Sequence, residues 1–206
     1  MVDAAQSAGI LDIDASTLDL LAFPGHKGLY GPQGSGGLYV REGLILKTLT
    51  EGGTGSQSEL LSQPKEMPDR LESGTLNVPA IAGLGAAVDF ILKEGTKAML
   101  EHDAILCEYF KEKVKNIKNV EIYGDENTTG IVALNLEDTD AIAVADLLNR
   151  EYGIAVRAGL HCAPAAHKTL GTLERGCVRF SFGYFTQKSD IDRAALALNQ
   201  IAKSGV

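Results

Sequence analysis

Three absences limit what this 206-residue chain can be. No apolar run approaches the length of a membrane span, and the first residues lack the basic and apolar regions of a signal peptide. Basic residues are not in excess either. The formal net charge of −8 at pH 7 argues against nucleic acid or an anionic membrane as the main partner. These absences predict a cytoplasmic protein that binds neither.

Cysteine is also scarce, with Cys107, Cys162 and Cys177 as the complete set. An odd number cannot all pair, none belongs to a CxxC pair, and without an export signal we expect reduced thiols. Cys162 lies close in sequence to His161 and His167, but this spacing matches no common zinc pattern. The sequence therefore predicts no metal site.

The composition that is present is that of a globular protein, with 45% apolar residues, 22% charged residues and 23 glycines. Residues 18–23 and 36–41 read as short strands, and the Pro- and Gly-filled link between them favours antiparallel pairing. Residues 50–78 show no period. A loop of this length inside a compact domain is usually functional or contacts a partner.

The second half of the chain predicts a different organisation. Two helical patterns cover 79–95 and 96–117, and from residue 118 the order is strand–strand–helix–strand–strand–helix, an α+β arrangement. The apolar stripe of the second helix is predicted to contain Met99, Ile105, Leu106, Phe110 and Val114. Cys107 lies on that stripe and is most simply a core residue.

Lys27 stands in the glycine-rich stretch FPGHKGLYGPQGSGG, residues 23–37. A lysine that forms a Schiff base must lose its proton part of the time, so it needs desolvation or cationic neighbours. Gly25 and Gly28 would let the backbone approach a ligand closely, and His26 adds a hydrogen-bond donor. The alternative is a surface lysine in a glycine-rich turn.

Cys162 lies in a second unusual stretch, VRAGLHCAPAAH, residues 156–167. Cationic neighbours, here Arg157 and His161, lower the pKa of a thiol and favour its nucleophilic form. The alternative is a structural cysteine. Arg179 alternates with apolar residues in CVRFSFG. It is either an arginine at a strand edge with no binding role or one whose guanidinium group binds a carboxylate through two hydrogen bonds.

The segments VDAAQ, GHK, GPQGSGGLYVR, ESGTLNVPAIAGLGAA, VRAGLHCA and VRFSFGYF follow one another in this order. The series resembles the class V aminotransferase family of pyridoxal-phosphate enzymes, and within it the cysteine desulfurase and selenocysteine lyase branch, over essentially all 206 residues. The resemblance implies an α/β fold. Residues 1–95 would be the C-terminal part of the cofactor-binding large domain, with a partial sheet plus helices. Residues 96–206 would be a linking helix and a small α+β domain.

The resemblance also implies a cofactor site for pyridoxal 5'-phosphate. Lys27 would hold the cofactor as a Schiff base, and Asp3 would pair with the pyridinium nitrogen. Gln6 would hydrogen-bond the phenolic oxygen of the ring, and His26 would lie against the phosphate. Thr75 would reach the phosphate of the partner subunit's cofactor in a homodimer.

The implied substrate is cysteine or selenocysteine. Arg179 would hold the substrate carboxylate, and Cys162 would accept the sulfur as a persulfide while alanine leaves; a sulfur-acceptor protein is a possible further partner. The sequence departs from the family at Pro24, where desulfurases commonly have a phosphate-binding serine, and at Leu160, where a second histidine is frequent. The family also carries a long portion before the VDAAQ motif, so we expect this chain to be the C-terminal half of such an enzyme.

Two other functions remain open at the level of sequence. The same fold could transfer an amino group, with Cys162 in a structural role. The chain could also be a truncated, non-catalytic module that dimerises through exposed apolar surfaces.

Overall fold

A computed structural model of the protein is mixed α/β, which confirms the predicted class. It describes residues 1–53, 55, 57–124, 129–137 and 139–204. The chain divides into two compact units, Met1–Thr96 and Lys97–Val206, here called unit 1 and unit 2. The division lies one residue from the 95/96 boundary expected from the sequence.

Unit 1 contains a small mixed sheet in the order β1-β2-β3. Strand β1 (Val2–Asp3) pairs in parallel with β2 (Leu20–Pro24), and β2 pairs antiparallel with β3 (Gly36–Val40). The antiparallel pairing of the two longer strands confirms the expectation from their short Pro- and Gly-rich link. Strand β1 was not predicted, because two residues are too few to show a period.

The rest of unit 1 is largely irregular until its helix. Between residues 41 and 77 the described residues form only a short 3-10 turn, Asp69–Leu71, in agreement with the absence of a period. Helix α1 (Val78–Glu94) then begins after Asn77, whose side-chain oxygen accepts a hydrogen bond from the Ala80 N–H at 3.3 Å. It ends at Gly95, where φ is +87°.

Unit 2 is built on an antiparallel sheet in the order β4-β5-β7-β6, with helices between its strands. Its strands are β4 (Val120–Tyr123), β5 (Ile131–Leu136), β6 (Arg157–Gly159) and β7 (Cys177–Ser181). Its helices are α2 (Thr96–Val114), which starts on the last residue of unit 1, α3 (Ala141–Tyr152), α4 (Pro164–Thr169) and α5 (Lys188–Ser204). Among the residues described in unit 2, only the six-residue α4 interrupts the predicted order, and it is too short to show a helical period.

One continuous apolar core lies between the sheet of unit 2 and helices α2, α3 and α5. Cys107 is fully buried in it, which confirms its predicted structural role. Ile105, however, is 59% exposed, so its place on the predicted stripe was wrong. Successive residues of a helix point about 100° apart around its axis. Leu106 and Phe110 face the core, so Ile105 points away from it, toward solvent.

Among the described residues, no helix combines the length and the apolar character needed to cross a bilayer.

Candidate active site

Backbone hydrogen bonds hold the loop that carries Lys27. The Gly25 N–H donates to the carbonyl of Ser35 at 2.8 Å, and the Gly31 N–H donates back to the carbonyl of Gly25 at 2.7 Å. The Tyr30 N–H donates to the carbonyl of Lys27 at 2.9 Å. The loop after β2 is thereby closed on itself, with the Lys27 side chain exposed.

The glycines beside Lys27 make room for protein rather than for a ligand. A Cβ atom on Gly25 would lie 2.1 Å from Oγ of Ser35. A Cβ on Gly28 would lie 2.5 Å from the carbonyl oxygen of Ala8. The expectation that these glycines admit a ligand was wrong: glycine is needed at both positions because the loop packs closely against Ser35 and Ala8.

An open cleft of about 520 Å³ brings several of the predicted cofactor residues together. Asp3, His26 and Lys27 all line it, and so does Ser35, which the sequence analysis missed. The pairing of Pro24 with Gly36 explains the convergence, because it places Ser35 beside the start of the Lys27 loop. The volume lies in the range of small-molecule sites.

Two predicted residues do not line this cleft. Gln6 is exposed on the turn after β1, and Thr75 is exposed just before α1. Asp3 itself is oriented locally, since its carboxylate accepts a hydrogen bond from the Ala5 N–H at 2.9 Å. The role of Thr75 concerns a second subunit and stays a prediction, as does that of Gln6.

Unit 2 presents a second set of functional groups on the face of its sheet opposite the core. Side chains alternate along a strand, so Val178 faces the core while Arg179 faces away from it. Arg157 of β6 pairs directly with Arg179 of β7, and Gly159 pairs with Cys177. The two guanidinium groups therefore belong to the same open face, which suits an anionic ligand.

Cys162 follows β6 in a strained turn. His161 and Cys162 have φ values of +53° and +60°, a left-handed conformation that is uncommon for residues other than glycine. The Cys162 side chain is exposed, and Nη2 of Arg157 donates to its Sγ at 3.5 Å. The Cys162 thiol is therefore in direct contact with a guanidinium group.

His161 does not supply the positive charge that the sequence analysis assigned to it. Burial, and secondarily the nearby Arg179, lowers the pKa of His161 below its usual value, so the ring is neutral near pH 7. Its Nε2 donates instead to the carbonyl of Cys177 at 3.1 Å. The cationic contact of Cys162 is therefore Arg157.

Arg179 has an unused donor. Its Nε is buried and has no hydrogen-bond partner among the residues that the structure describes. Buried donors normally have partners, so such an atom is a reason to expect a ligand. A carboxylate would satisfy it through the two-pronged geometry that arginine offers.

The three cysteines are free thiols with different accessibility. Burial raises the pKa of Cys107 to about 11, and burial likewise raises the pKa of Cys177. Cys162 alone of the three is exposed. An exposed thiol beside an arginine is the one equipped to act as a nucleophile.

Comparison with known proteins shows the family to which the chain belongs. The family described as "Aminotransferase class-V" matches residues 1–194. The chain belongs to this family. A probable cysteine desulfurase of Methanothermobacter thermautotrophicus is 37% identical over 213 aligned positions, which cover 100% of this chain and 53% of that protein. A cysteine desulfurase of Salmonella choleraesuis is 33% identical, over 98% of this chain and 50% of that protein.

Solved structures give the same result for the fold of this family member. The cysteine desulfurase CsdA of Escherichia coli superposes with a TM-score of 0.88 at 29% identity, over 100% of this chain and 52% of that one. The apo cysteine desulfurase of Thermococcus onnurineus NA1 gives 0.81 at 31% identity, over 98% and 52%. The chain thus spans about half the length of the relatives that it matches.

Proposed function

We propose that the protein acts in the desulfuration of L-cysteine, with alanine as the product and a persulfide on Cys162. The observation that carries this proposal is the exposed Cys162 thiol, held in a strained turn 3.5 Å from Arg157. Relatives named cysteine desulfurases align with all or nearly all of the chain. A cysteine that served only to fill a core would be buried, as Cys107 is.

The donor set of the unit 1 cleft fits pyridoxal phosphate, which enzymes of this family use. Lys27 offers an amine for the aldehyde, Asp3 a carboxylate for the ring nitrogen, and His26 a donor for the phosphate. Ser35 adds a hydroxyl near the place where Pro24 stands instead of the family's serine. When bound, the cofactor supplies an electron sink that makes bonds around the amino acid's Cα easier to break.

Arg179 holds the carboxylate of the amino acid. Its buried Nε lacks a partner among the described residues, and its position opposite Arg157 gives this face of the sheet a positive field. A carboxylate that binds both Nε and an Nη atom is fixed in orientation as well as in position. This contact directs the substrate side chain and excludes substrates without the acid group.

Cys162 accepts the sulfur. Its thiolate forms an S–S bond with the substrate sulfur as the Cβ–S bond of the substrate breaks, and the electron pair of that bond remains with carbon. Carbon takes up a proton and becomes the methyl group of alanine. Cysteine and one enzyme thiol thus give alanine and one enzyme persulfide, with no external oxidant. Exposure of Cys162 lets a second thiol, on a sulfur-acceptor protein, collect the sulfur.

The test measures alanine formed from L-cysteine in the presence of pyridoxal phosphate and a thiol reductant. We expect Cys162→Ser to abolish turnover, because serine cannot hold the sulfur, while Cys107→Ser keeps it. Cys107 is the matched control because it is a free thiol that lies in the core and faces no cleft.

Two outcomes would contradict the proposal. Transfer of an amino group to a keto acid that is unaffected by Cys162→Ser would make the protein an aminotransferase with a structural Cys162. Failure of Lys27 to bind pyridoxal phosphate, in a chain that dimerises, would indicate a non-catalytic module.

A further inference from the structure

Three side chains that can bind metal ions converge behind the Cys162 turn. They are His161 in the turn itself, His167 on α4 and Cys177 on β7. One potential ligand atom from each lies within 4.8 Å of those of the other two. The cluster belongs to unit 2 alone and includes none of the residues assigned above to cofactor or substrate.

The surroundings leave these groups available as ligands. Cys177 is 2% exposed and His167 is 4% exposed, so the cluster is shielded from bulk water. Nδ1 of His167 lies 2.8 Å from the hydroxyl of buried Thr172. A Thr172 oxygen that accepts the Nδ1 proton fixes the tautomer in which Nε2 carries the free lone pair, an arrangement found for metal-binding histidines.

His161 also has an unused lone pair. Because its Nε2 donates a proton to the carbonyl oxygen of Cys177, the lone pair of the neutral ring resides on Nδ1. Nδ1 is buried and has no hydrogen-bond partner among the described residues.

The separations approach those of a real coordination sphere. In a tetrahedral zinc site with Zn–S near 2.3 Å and Zn–N near 2.0–2.1 Å, sulfur and nitrogen ligands stand about 3.6 Å apart. Sγ of Cys177 already contacts the His161 ring, 3.5 Å from its protonated Nε2, whereas the lone pair available to a metal lies on Nδ1 of the same ring. One potential ligand atom from each of the three side chains lies within 4.8 Å of the other two. Small movements of the side chains would therefore bring these atoms to the spacing of a zinc site.

We propose that His161, His167 and Cys177 bind a divalent transition metal, with Zn²⁺ favoured by the mixed nitrogen and sulfur donors. Three protein ligands leave the fourth position for water or an incoming thiol. Binding displaces the thiol proton of Cys177 to solvent. The bound metal fixes the position of His161, the residue directly before Cys162. The sequence predicted no metal, because the third ligand is neither Cys162 nor a near neighbour but a residue of another strand.

The test is a Co²⁺ titration of the reduced chain, followed by the thiolate-to-cobalt charge-transfer absorption and by calorimetry. We expect one Co²⁺ per chain and displacement of it by Zn²⁺. Cys177→Ser should remove the charge-transfer band, and His161→Asn should weaken binding at least about tenfold. Asparagine suits the second variant because it tolerates the left-handed backbone at position 161.

Cys162→Ser is the matched control, since its exposed thiol is the competing ligand for a soft metal. The band should persist in this variant. No saturable binding, a band that survives Cys177→Ser, or a band lost in Cys162→Ser would each overturn the proposal. Circular dichroism establishes that each variant is folded; if Cys177→Ser is not, unchanged affinity in folded His161→Asn is sufficient to overturn it.

Discussion

The two units hold their functional residues in different ways. Unit 2 places Arg157, Arg179 and Cys177 on a sheet whose other face packs on a continuous apolar core. Unit 1 places Lys27 on a loop closed by backbone hydrogen bonds and tight glycine contacts. The side that we propose to accept sulfur therefore depends on buried apolar area, and the side that we propose to bind the cofactor depends on local backbone geometry.

Burial makes the contrast sharper. Of the described residues of unit 1, the buried apolar side chains are only Ala4, Leu21, Pro64, Ala80 and Ile91. Unit 1 meanwhile exposes Leu49 and Leu61 completely. Since burial of apolar surface is the main driving force of folding, we expect unit 2 to be the more stable unit.

The largest expected effect is on the cofactor side. Lys27→Ala should abolish the bond to pyridoxal phosphate that borohydride can reduce, and lower turnover by at least about 10³-fold, because it removes the reacting amine. Mass spectrometry of the reduced protein measures the bond. Lys47→Ala, at another exposed lysine of unit 1, is the control and should change neither quantity. If borohydride still attached pyridoxal phosphate to the Lys27→Ala variant, the assignment of the cleft as the cofactor site would be wrong.

Substitutions at two adjacent residues of α2 test the apolar core of unit 2. Leu106 is 3% exposed and Ile105 is 59% exposed. Leu106→Ala should lower the free energy of unfolding of unit 2 by about 2–5 kcal/mol, whereas Ile105→Ala should change it by less than about 0.5 kcal/mol. Chemical denaturation followed by circular dichroism gives both values. Equal losses would mean that the core does not end where the structure places it.

A smaller effect should appear at Gly25, where the backbone of unit 1 lies very close to the side chain of Ser35. Gly25→Ala places a methyl group against Oγ of Ser35 and should shift the Lys27 loop. We expect this shift to weaken the binding of pyridoxal phosphate about tenfold, which corresponds to a loss of about 1.4 kcal/mol of binding free energy. In a Ser35→Ala background, which lacks the nearest clashing atom, the Gly25→Ala change should cost less affinity than it does beside Ser35. Fluorescence titration measures the affinity. An additive double variant would show that the contact is not the cause.

The smallest effect compares one helix cap from each unit. Asp140 accepts hydrogen bonds from the N–H groups of Ile142 and Ala143 at 2.9 and 3.1 Å, whereas Asn77 accepts one at 3.3 Å. Asp140→Ala should destabilise unit 2 by about 1 kcal/mol. Asn77→Ala should destabilise α1 by less. Hydrogen exchange of the two helices measures the losses, and the reverse order would contradict the cap geometry.

Much of the fold could be predicted from the sequence, because periodicity and turn residues are local signals. The strands at 18–23 and 36–41 and the helices after residue 78 all appear within a few residues of their predicted ends. Strand β1 and helix α4 were missed because both are shorter than one readable period. Ile105 was misplaced because its apolar character was taken as evidence of burial.

The candidate site was predictable only through the resemblance. Asp3, His26 and Lys27 were named by their motif positions, and they do share one cleft. Ser35 was missed because its place in the cleft depends on the pairing of β2 with β3. The convergence of His161 with Cys177 depends in the same way on the register between β6 and β7, which no sequence spacing reveals.

The most direct test of the account is peptide mass spectrometry of Cys162 after incubation of the protein with pyridoxal phosphate and L-cysteine. The proposed desulfuration predicts one added sulfur atom on the Cys162 peptide, present in the wild-type chain and absent from Lys27→Ala. Added sulfur on Cys107 or Cys177 instead, or equal labelling of Cys162 in the Lys27 variant, would contradict it.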